Sequence, residues 1–238
     1  MDKPFLRASW LNLLMANFTV DKSVLQPYCP AHTELDDWNG NHYVSLVGFL
    51  FYNTRVKGIA LPYHKHFEEV NLRFYVRHKH NGTWRRGVVF IKELVPRWLI
   101  TFIANTLYNE NYETRPMTHT YVSTPQGLQV AYNWKVGREW NYLKAITDTQ
   151  KVSILPGSEE EFITEHYWGY SRLNDSKTSV YEVQHPQWQI HPVRSFTYHC
   201  SVKELYGDAF TECLAQPPTS VFLADGSEIQ VMSNTILQ

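Results

Sequence analysis

Residues 69–93 read as a β-hairpin, and this ribbon constrains the fold more than any other stretch of the chain. Asn81-Gly82 is the dipeptide favoured in a two-residue hairpin turn, where both central residues need positive φ. With His80 facing Thr83, the turn fixes every opposed pair: Tyr75 faces Val88, Arg73 faces Phe90 and Asn71 faces Lys92. Period-2 alternation then puts Val70, Leu72, Phe74 and Val76 with Gly87, Val89 and Ile91 on one buried face. The other face carries Glu69, Asn71, Arg73, Tyr75 and Arg77 beside Arg86, Val88, Phe90 and Lys92. Charges mixed with Tyr and Phe suit the wall of a polar pocket inside a barrel. A salt-bridged outer face is the alternative.

Lys92 is the reactive candidate on that face. A lysine beside another cation, or partly desolvated, becomes a nucleophilic amine able to form a Schiff base. In this register Arg73 and Glu69 are its diagonal neighbours and push its pKa in opposite directions. The plain alternative is a Glu69–Lys92 cross-strand pair.

The rest of the chain is strand-rich. Strands are expected over Leu11–Val20 and His42–Tyr52, with a short helical turn over Asp21–Gln26 that Pro27 ends. Residues 98, 99, 102, 103, 106 and 107 give Trp98–Leu107 the spacing of an amphipathic helix. Thr118–Ser123 and Leu128–Val136 flank a Pro125-Gln126-Gly127 turn, and Ser158 to Glu161 matches a capping box. Further strands are expected near 177–184 and 187–199, a helical patch near 201–214, and a closing hairpin turning at Asp225-Gly226. Without a βαβ rhythm, the pattern predicts one mostly-β, α+β domain over residues 1–238, an antiparallel barrel with a few short helices.

Composition narrows the partners. The 22 Lys+Arg against 23 Asp+Glu leave a formal net charge of -1, which offers no bulk attraction for nucleic acid or an anionic membrane. No run approaches a membrane span, and the apolar run after Met1-Asp2-Lys3-Pro4 is too short for a signal-peptide core. Cys29, Cys200 and Cys213 are odd in number and lack CxxC spacing, which predicts free thiols in a cytoplasmic protein. The pairs His64/His66 and His78/His80 lack a carboxylate or thiolate to complete a metal site, so no metal and no cofactor are expected. His166, in Glu165-His166-Tyr167-Trp168-Gly169-Tyr170, is either a general acid or base or a hydrogen-bonded core residue.

The chain resembles the YqjF-like family of bacterial proteins, a domain of unknown function. The resemblance is carried by Glu34-Leu35-Asp36, Val44–Phe49, Phe67–Arg77, Arg86–Pro96, Tyr108–Tyr112, His166–Tyr170, His185–Trp188 and Ser220–Ser227. That family is similar in turn to acetoacetate decarboxylases, which implies a cone-shaped β-barrel around a cavity. Those enzymes carry a Pro-Lys-Lys motif whose first lysine forms the Schiff base. The corresponding stretch here, Ala104–Thr114, has no lysine, nor does any position from Glu93 to Val130. The arginine expected near the helix end is Asn105.

Three functions follow from the pattern. The first is a barrel binding a small polar or anionic ligand, either as a non-catalytic binding or sensing protein or with catalysis: Arg73 holds the anion, Glu69 or Glu110 moves a proton where the protein is an enzyme, and Tyr75, Tyr108 and Tyr112 line the wall. Asn71, Lys92 and His166 complete the candidate set. The same pocket also suits a lyase- or isomerase-like enzyme on a carbonyl or carboxylate compound, without the usual lysine. The third reading is non-catalytic self-association into a homo-oligomer through the aromatic ribbon face.

Overall fold

The computed structural model describes residues 3–60 and 63–238; Met1 and Asp2 of the amino-terminal lead lie outside them. The first half contains β1 (Leu6–Val20), α1 (Lys22–Leu25), β2 (Glu34–Leu35), β3 (His42–Val56), β4 (Phe67–His80), β5 (Thr83–Val95), α2 (Trp98–Leu107) and β6 (Tyr112–Thr114). There follow β7 (Met117–Thr124), β8 (Gly127–Val136), β9 (Glu139–Thr147), β10 (Val152–Ser153), α3 (Glu159–Thr164), β11 (Trp168–Arg172) and β12 (Thr178–Gln184). The chain ends with β13 (Gln189–His199), α4 (Val202–Tyr206), α5 (Thr211–Leu214), β14 (Ser220–Val231) and β15 (Thr235–Leu237).

Seven strands close into a ring, in the order β12-β11-β5-β4-β3-β1-β14, with β14 pairing back onto β12. From β14, the strands β13, β9, β8 and β7 continue as an antiparallel wing. Two apolar cores result. One holds Val70, Leu72, Phe74, Val76, Val89 and Ile91 with wing residues such as Tyr132 and Trp134. These six share one buried face, as the alternation requires. The second core lies on the opposite side of the ribbon and includes Phe49, Phe51, Phe67, Tyr75 and Val88.

The sheet is mixed, which corrects the expectation of an antiparallel barrel. β11 runs parallel to β5 through Trp168 and Gly169, and β6 runs parallel to β5 through Tyr112–Thr114. The second pairing has a simple cause: the chain leaves β5, crosses over through α2, and returns alongside in the same direction.

Two further expectations change. β14 passes straight through Asp225-Gly226 instead of turning there, and Gly226 pairs with Leu11 at a φ of +81°. A Cβ at this position would lie 2.0 Å from the Trp10 carbonyl oxygen, so the glycine serves a close strand contact and not a hairpin. The strand β9, between the Gly137 turn and Thr147, was not anticipated. Alternation at Leu143, Ala145 and Thr147, all buried, is the signal that marks it. The Ser158 cap is as expected, its hydroxyl accepting from the Glu161 backbone N–H. All three cysteines are free thiols. Among the described residues no helix is long and apolar enough to cross a membrane, and no group of three His, Cys, Asp or Glu side chains could hold a metal ion.

Candidate functional site

Every strand of the ring contributes to one pocket: Trp10 from β1, Phe49 from β3, Glu69 from β4, Phe90 from β5, Trp168 from β11, Tyr181 from β12 and Val231 from β14. It is walled mostly by aromatic and aliphatic side chains. Ile100, Ile103 and Ala104 of α2 border it, while Trp98 and Phe102 of the same helix point outward and are exposed.

The polar lining is Glu69, Asn71, Arg73, Glu93, Glu110, Tyr112 and His166, with the hydroxyls of Tyr108 and Tyr181. Glu93 was not anticipated. The ladder between β4 and β5 slips by one residue between Leu72 and Arg73, so Leu72 faces Lys92 and Asn71 faces Glu93. The turn-proximal pairs, Arg73 with Phe90 and Tyr75 with Val88, are as the turn dictates. Such a bulge re-aims the side chains beyond it. Lys92 is therefore absent from the pocket lining and bonds Glu113 at 3.0 Å, which replaces both the expected Asn71 partner and the Glu69 pair. Tyr75 also lies outside the lining: its hydroxyl bonds Ser45 at 2.6 Å and its ring packs on Phe162 and His166.

The crossover through α2 builds the carboxyl cluster. Asn105, near the end of α2, clamps Tyr112 at both backbone polar groups, accepting from its N–H at 2.8 Å and donating to its carbonyl at 3.0 Å. Tyr112 is thereby held opposite Glu93, and its hydroxyl donates to Glu69 Oε2 at 3.0 Å. Asn71 donates to Glu69 Oε1 at 3.0 Å. Tyr181 packs over its cross-strand partner Gly169, where a side chain would collide with the ring, and so reaches Glu110 Oε1 at 2.9 Å. Tyr108 donates to the Met232 carbonyl at 3.3 Å.

Burial sets the protonation of this cluster. It pushes Glu69 up to about 7, against the Asn71 and Tyr112 hydrogen bonds and the Arg73 charge. It pushes Glu110 up to about 8 with help from the Glu69 charge, against the Tyr181 hydrogen bond. Glu93 stands well above the ordinary range, through burial and then repulsion from Glu110 and Glu69. At neutral pH the cluster thus holds protonated carboxyls that can donate hydrogen bonds. Arg73 is buried, with Nη2 donating to the Ile163 carbonyl at 3.2 Å and Nε without a partner among the described residues.

Asp36, missed as a site residue, adjoins this pocket through His166. The pairing of β2 with β4 brings it there, its backbone N–H donating to the Tyr75 carbonyl at 3.0 Å. Its Oδ2 accepts from Arg86 Nε at 2.6 Å and lies 3.4 Å from His166 Nε2. Burial opposes ionisation of Asp36, but the His166 and Arg86 hydrogen bonds outweigh it and hold the carboxyl at about 2. Burial holds His166 at about 4, the charges of Arg86 and Arg73 adding to it against Asp36.

Comparison with other proteins agrees with this architecture. The profile of a family described as an uncharacterized conserved protein, DUF2071, matches residues 7–228. The chain is 36% identical over 108 residues to the uncharacterized protein YqjF of Bacillus subtilis (strain 168), a match covering 45% of this chain and 43% of that protein. The match therefore spans less than half the length of that relative. Among solved structures, the enduracididine biosynthesis enzyme MppR complexed with pyruvate superposes with a TM-score of 0.69 at 12% identity, covering 100% of this chain and 91% of that one. Acetoacetate decarboxylase from Legionella pneumophila gives a TM-score of 0.69 at 10% identity, covering 100% and 88%. The fold is thus the mostly-β, α+β fold of acetoacetate-decarboxylase-like proteins.

Proposed function

The chain belongs to the DUF2071 family of uncharacterized conserved proteins, and from that premise we propose that it binds a small carbonyl or carboxylate compound with an apolar body inside the ring. The observation that carries this reading is the gathering of hydrogen-bond donors at one part of an otherwise apolar pocket. Arg73 Nε is a buried donor without an acceptor among the described residues, and the protonated carboxyls of Glu93 and Glu110 add further donors at neutral pH. Donors of this kind call for a ligand oxygen, because a buried donor left unpaired costs about 1–3 kcal/mol. The aromatic walls suit a branched or aromatic tail. MppR, of the same fold, is complexed with pyruvate, a small oxo acid.

The chemistry on this reading is hydrogen bonding and proton transfer. A Schiff base lacks its amine, since no lysine is among the lining residues. Self-association through the aromatic ribbon face is disfavoured because Glu69, Asn71 and Arg73 on that face are buried in the pocket wall. On the same reading the ring is a barrel around its ligand, the chain is one ligand-binding unit, and nucleic acid and membrane are not its partners.

The test is a thermal-shift and calorimetric titration with pyruvate, 2-oxo-4-methylpentanoate and, as contrast, 3-methylbutylamine. The branched oxo acid should raise Tm and bind more tightly than pyruvate, and Arg73→Met should abolish both effects. Binding of the amine in place of the oxo acids would make the carboxyl cluster a cation site and overturn the reading.

A further inference from the structure

We propose that His166, held by Asp36, is the proton acceptor for the compound bound in the ring, and that this compound carries a removable proton on the carbon next to its carbonyl. The inference rests on the pocket reading above and adds the substrate class and the base.

The geometry begins with Asp36. Its carboxylate accepts from Arg86 Nε at 2.6 Å and from the Asp37 backbone N–H at 3.0 Å, and Arg77 Nη1 lies 3.5 Å away. The His166 and Arg86 hydrogen bonds keep it ionised against burial, and an ionised carboxylate can only accept. His166 Nε2, 3.4 Å from Oδ2, is therefore the nitrogen that carries the hydrogen, and Nδ1 presents a bare lone pair. Nδ1 is buried and has no partner among the described residues. The ring itself is wedged between Tyr75, at 4.7 Å between centroids, and Phe162, at 5.1 Å, so its orientation is fixed. It also lines the ligand pocket together with Arg73 and Glu69. A rigid imidazole with one nitrogen tied to a carboxylate and the other free beside a ligand cavity is a base awaiting its proton.

The charges facing His166 are Asp36 from the segment after β2, Arg86 from β5 and Arg73 from β4. Arg86 and Arg73 both disfavour the imidazolium. A ligand carboxylate on Arg73 neutralises one of them, so binding itself raises the basicity of the ring. The step balances without a co-reactant. The C–H bond next to the carbonyl breaks and its proton passes to Nδ1. The electron pair moves onto the carbonyl oxygen, where a donor such as Arg73 stabilises the enolate. Return of a proton from His166 restores the compound, with solvent hydrogen exchanged into it.

The experiment is 1H NMR of 2-oxo-4-methylpentanoate and of pyruvate in D2O with catalytic amounts of protein, following loss of the signals next to the carbonyl. Wild-type protein should accelerate exchange over buffer. His166→Gln should lower that rate by about 100-fold or more while binding, read by thermal shift, is retained. Asp36→Asn should lower the rate and displace its pH profile. Independently of any variant, long-range 15N–1H correlation at pH 7 should show His166 as the neutral tautomer with hydrogen on Nε2. Oxo acid that binds without exchanging, exchange at the wild-type rate in His166→Gln, or a hydrogen found on Nδ1 would each overturn the assignment and leave the pocket reading standing. Failure of both oxo acids to bind would overturn the two together.

Discussion

Asn71 stands directly across the ladder from Glu93, and that pairing brings a third carboxyl into the pocket beside Glu69 and Glu110. Burial and the two neighbouring carboxyls hold Glu93 well above its ordinary range, so it carries its proton at pH 7. Glu93→Gln replaces a neutral acid with a neutral amide of the same shape. The variant should differ from wild type by about 1 kcal/mol or less in urea denaturation at pH 7. A stabilisation well beyond that would show that the wild-type side chain is ionised against its surroundings.

The same slip in the ladder turns Lys92 to Glu113, with both side chains partly exposed. Ion pairs of this kind contribute about 0.2–1 kcal/mol, so Lys92→Ala should be barely destabilised. Borohydride reduction in the presence of acetoacetate should leave no adduct by mass spectrometry, because a nucleophile must sit roughly 3–3.5 Å from the carbonyl it attacks. An adduct on Lys92 that vanishes in Lys92→Ala would contradict both the pocket lining and the absence of Schiff-base chemistry.

How far the site could be read in the sequence follows from which forces are local. The Asn81-Gly82 turn and strict alternation make the faces of β4 legible, hence Glu69, Asn71 and Arg73 in the pocket wall. A bulge leaves a more ambiguous mark: Phe90-Ile91-Lys92-Glu93 sets two apolar residues before two charged ones, a break in period that fits either register, and only the three-dimensional ladder shows the skipped residue. Asp36 is invisible for another reason. Its role depends on β2 pairing with β4 and on His166, 130 residues away, and such long-range pairing is not encoded in spacing. The parallel return of β6 is hidden likewise, because three residues carry too little pattern to define a strand. Asp225-Gly226 misleads because a glycine needed for close approach looks in sequence like one needed for a turn.

Gly226 and Gly58 share a φ of +81° but differ in their surroundings. At Gly58 nothing among the described residues lies within 4 Å of the Cβ position, so Gly58→Ala is expected to meet chiefly the backbone penalty of about 1 kcal/mol. At Gly226 the added carbon meets the Trp10 carbonyl oxygen at 2.0 Å, and β1 and β14 must separate. Gly226→Ala should lose a further 2–3 kcal/mol or so, a fall in Tm of roughly 5–10 °C relative to Gly58→Ala. Equal melting temperatures for the two variants would show that β14 is not held against β1 as described.

The buried carboxyls also fix the direction in which stability changes with pH. Glu69 and Glu110 rise from an ordinary 4.5 to about 7 and about 8 on folding, so between those values the folded chain holds protons that the unfolded chain has released. Stability from these groups is complete below about 4.5 and is lost as pH rises through 7 and 8. His166 acts in the opposite sense, since its value falls from 6.5 to about 4: its contribution is present above 6.5 and lost as pH falls through that range. The two trends oppose one another between 4.5 and 6.5, and above 6.5 the carboxyls act alone. Urea midpoints should therefore decline from pH 6.5 to 8.5, and Glu69→Gln and Glu110→Gln should each flatten the decline, because an amide binds no proton in either state. A midpoint that rises over this interval in wild type, or an unchanged slope in both variants, would mean that these carboxyls are ionised in the folded protein, and would remove Glu110 from the donors on which ligand binding in the ring is argued.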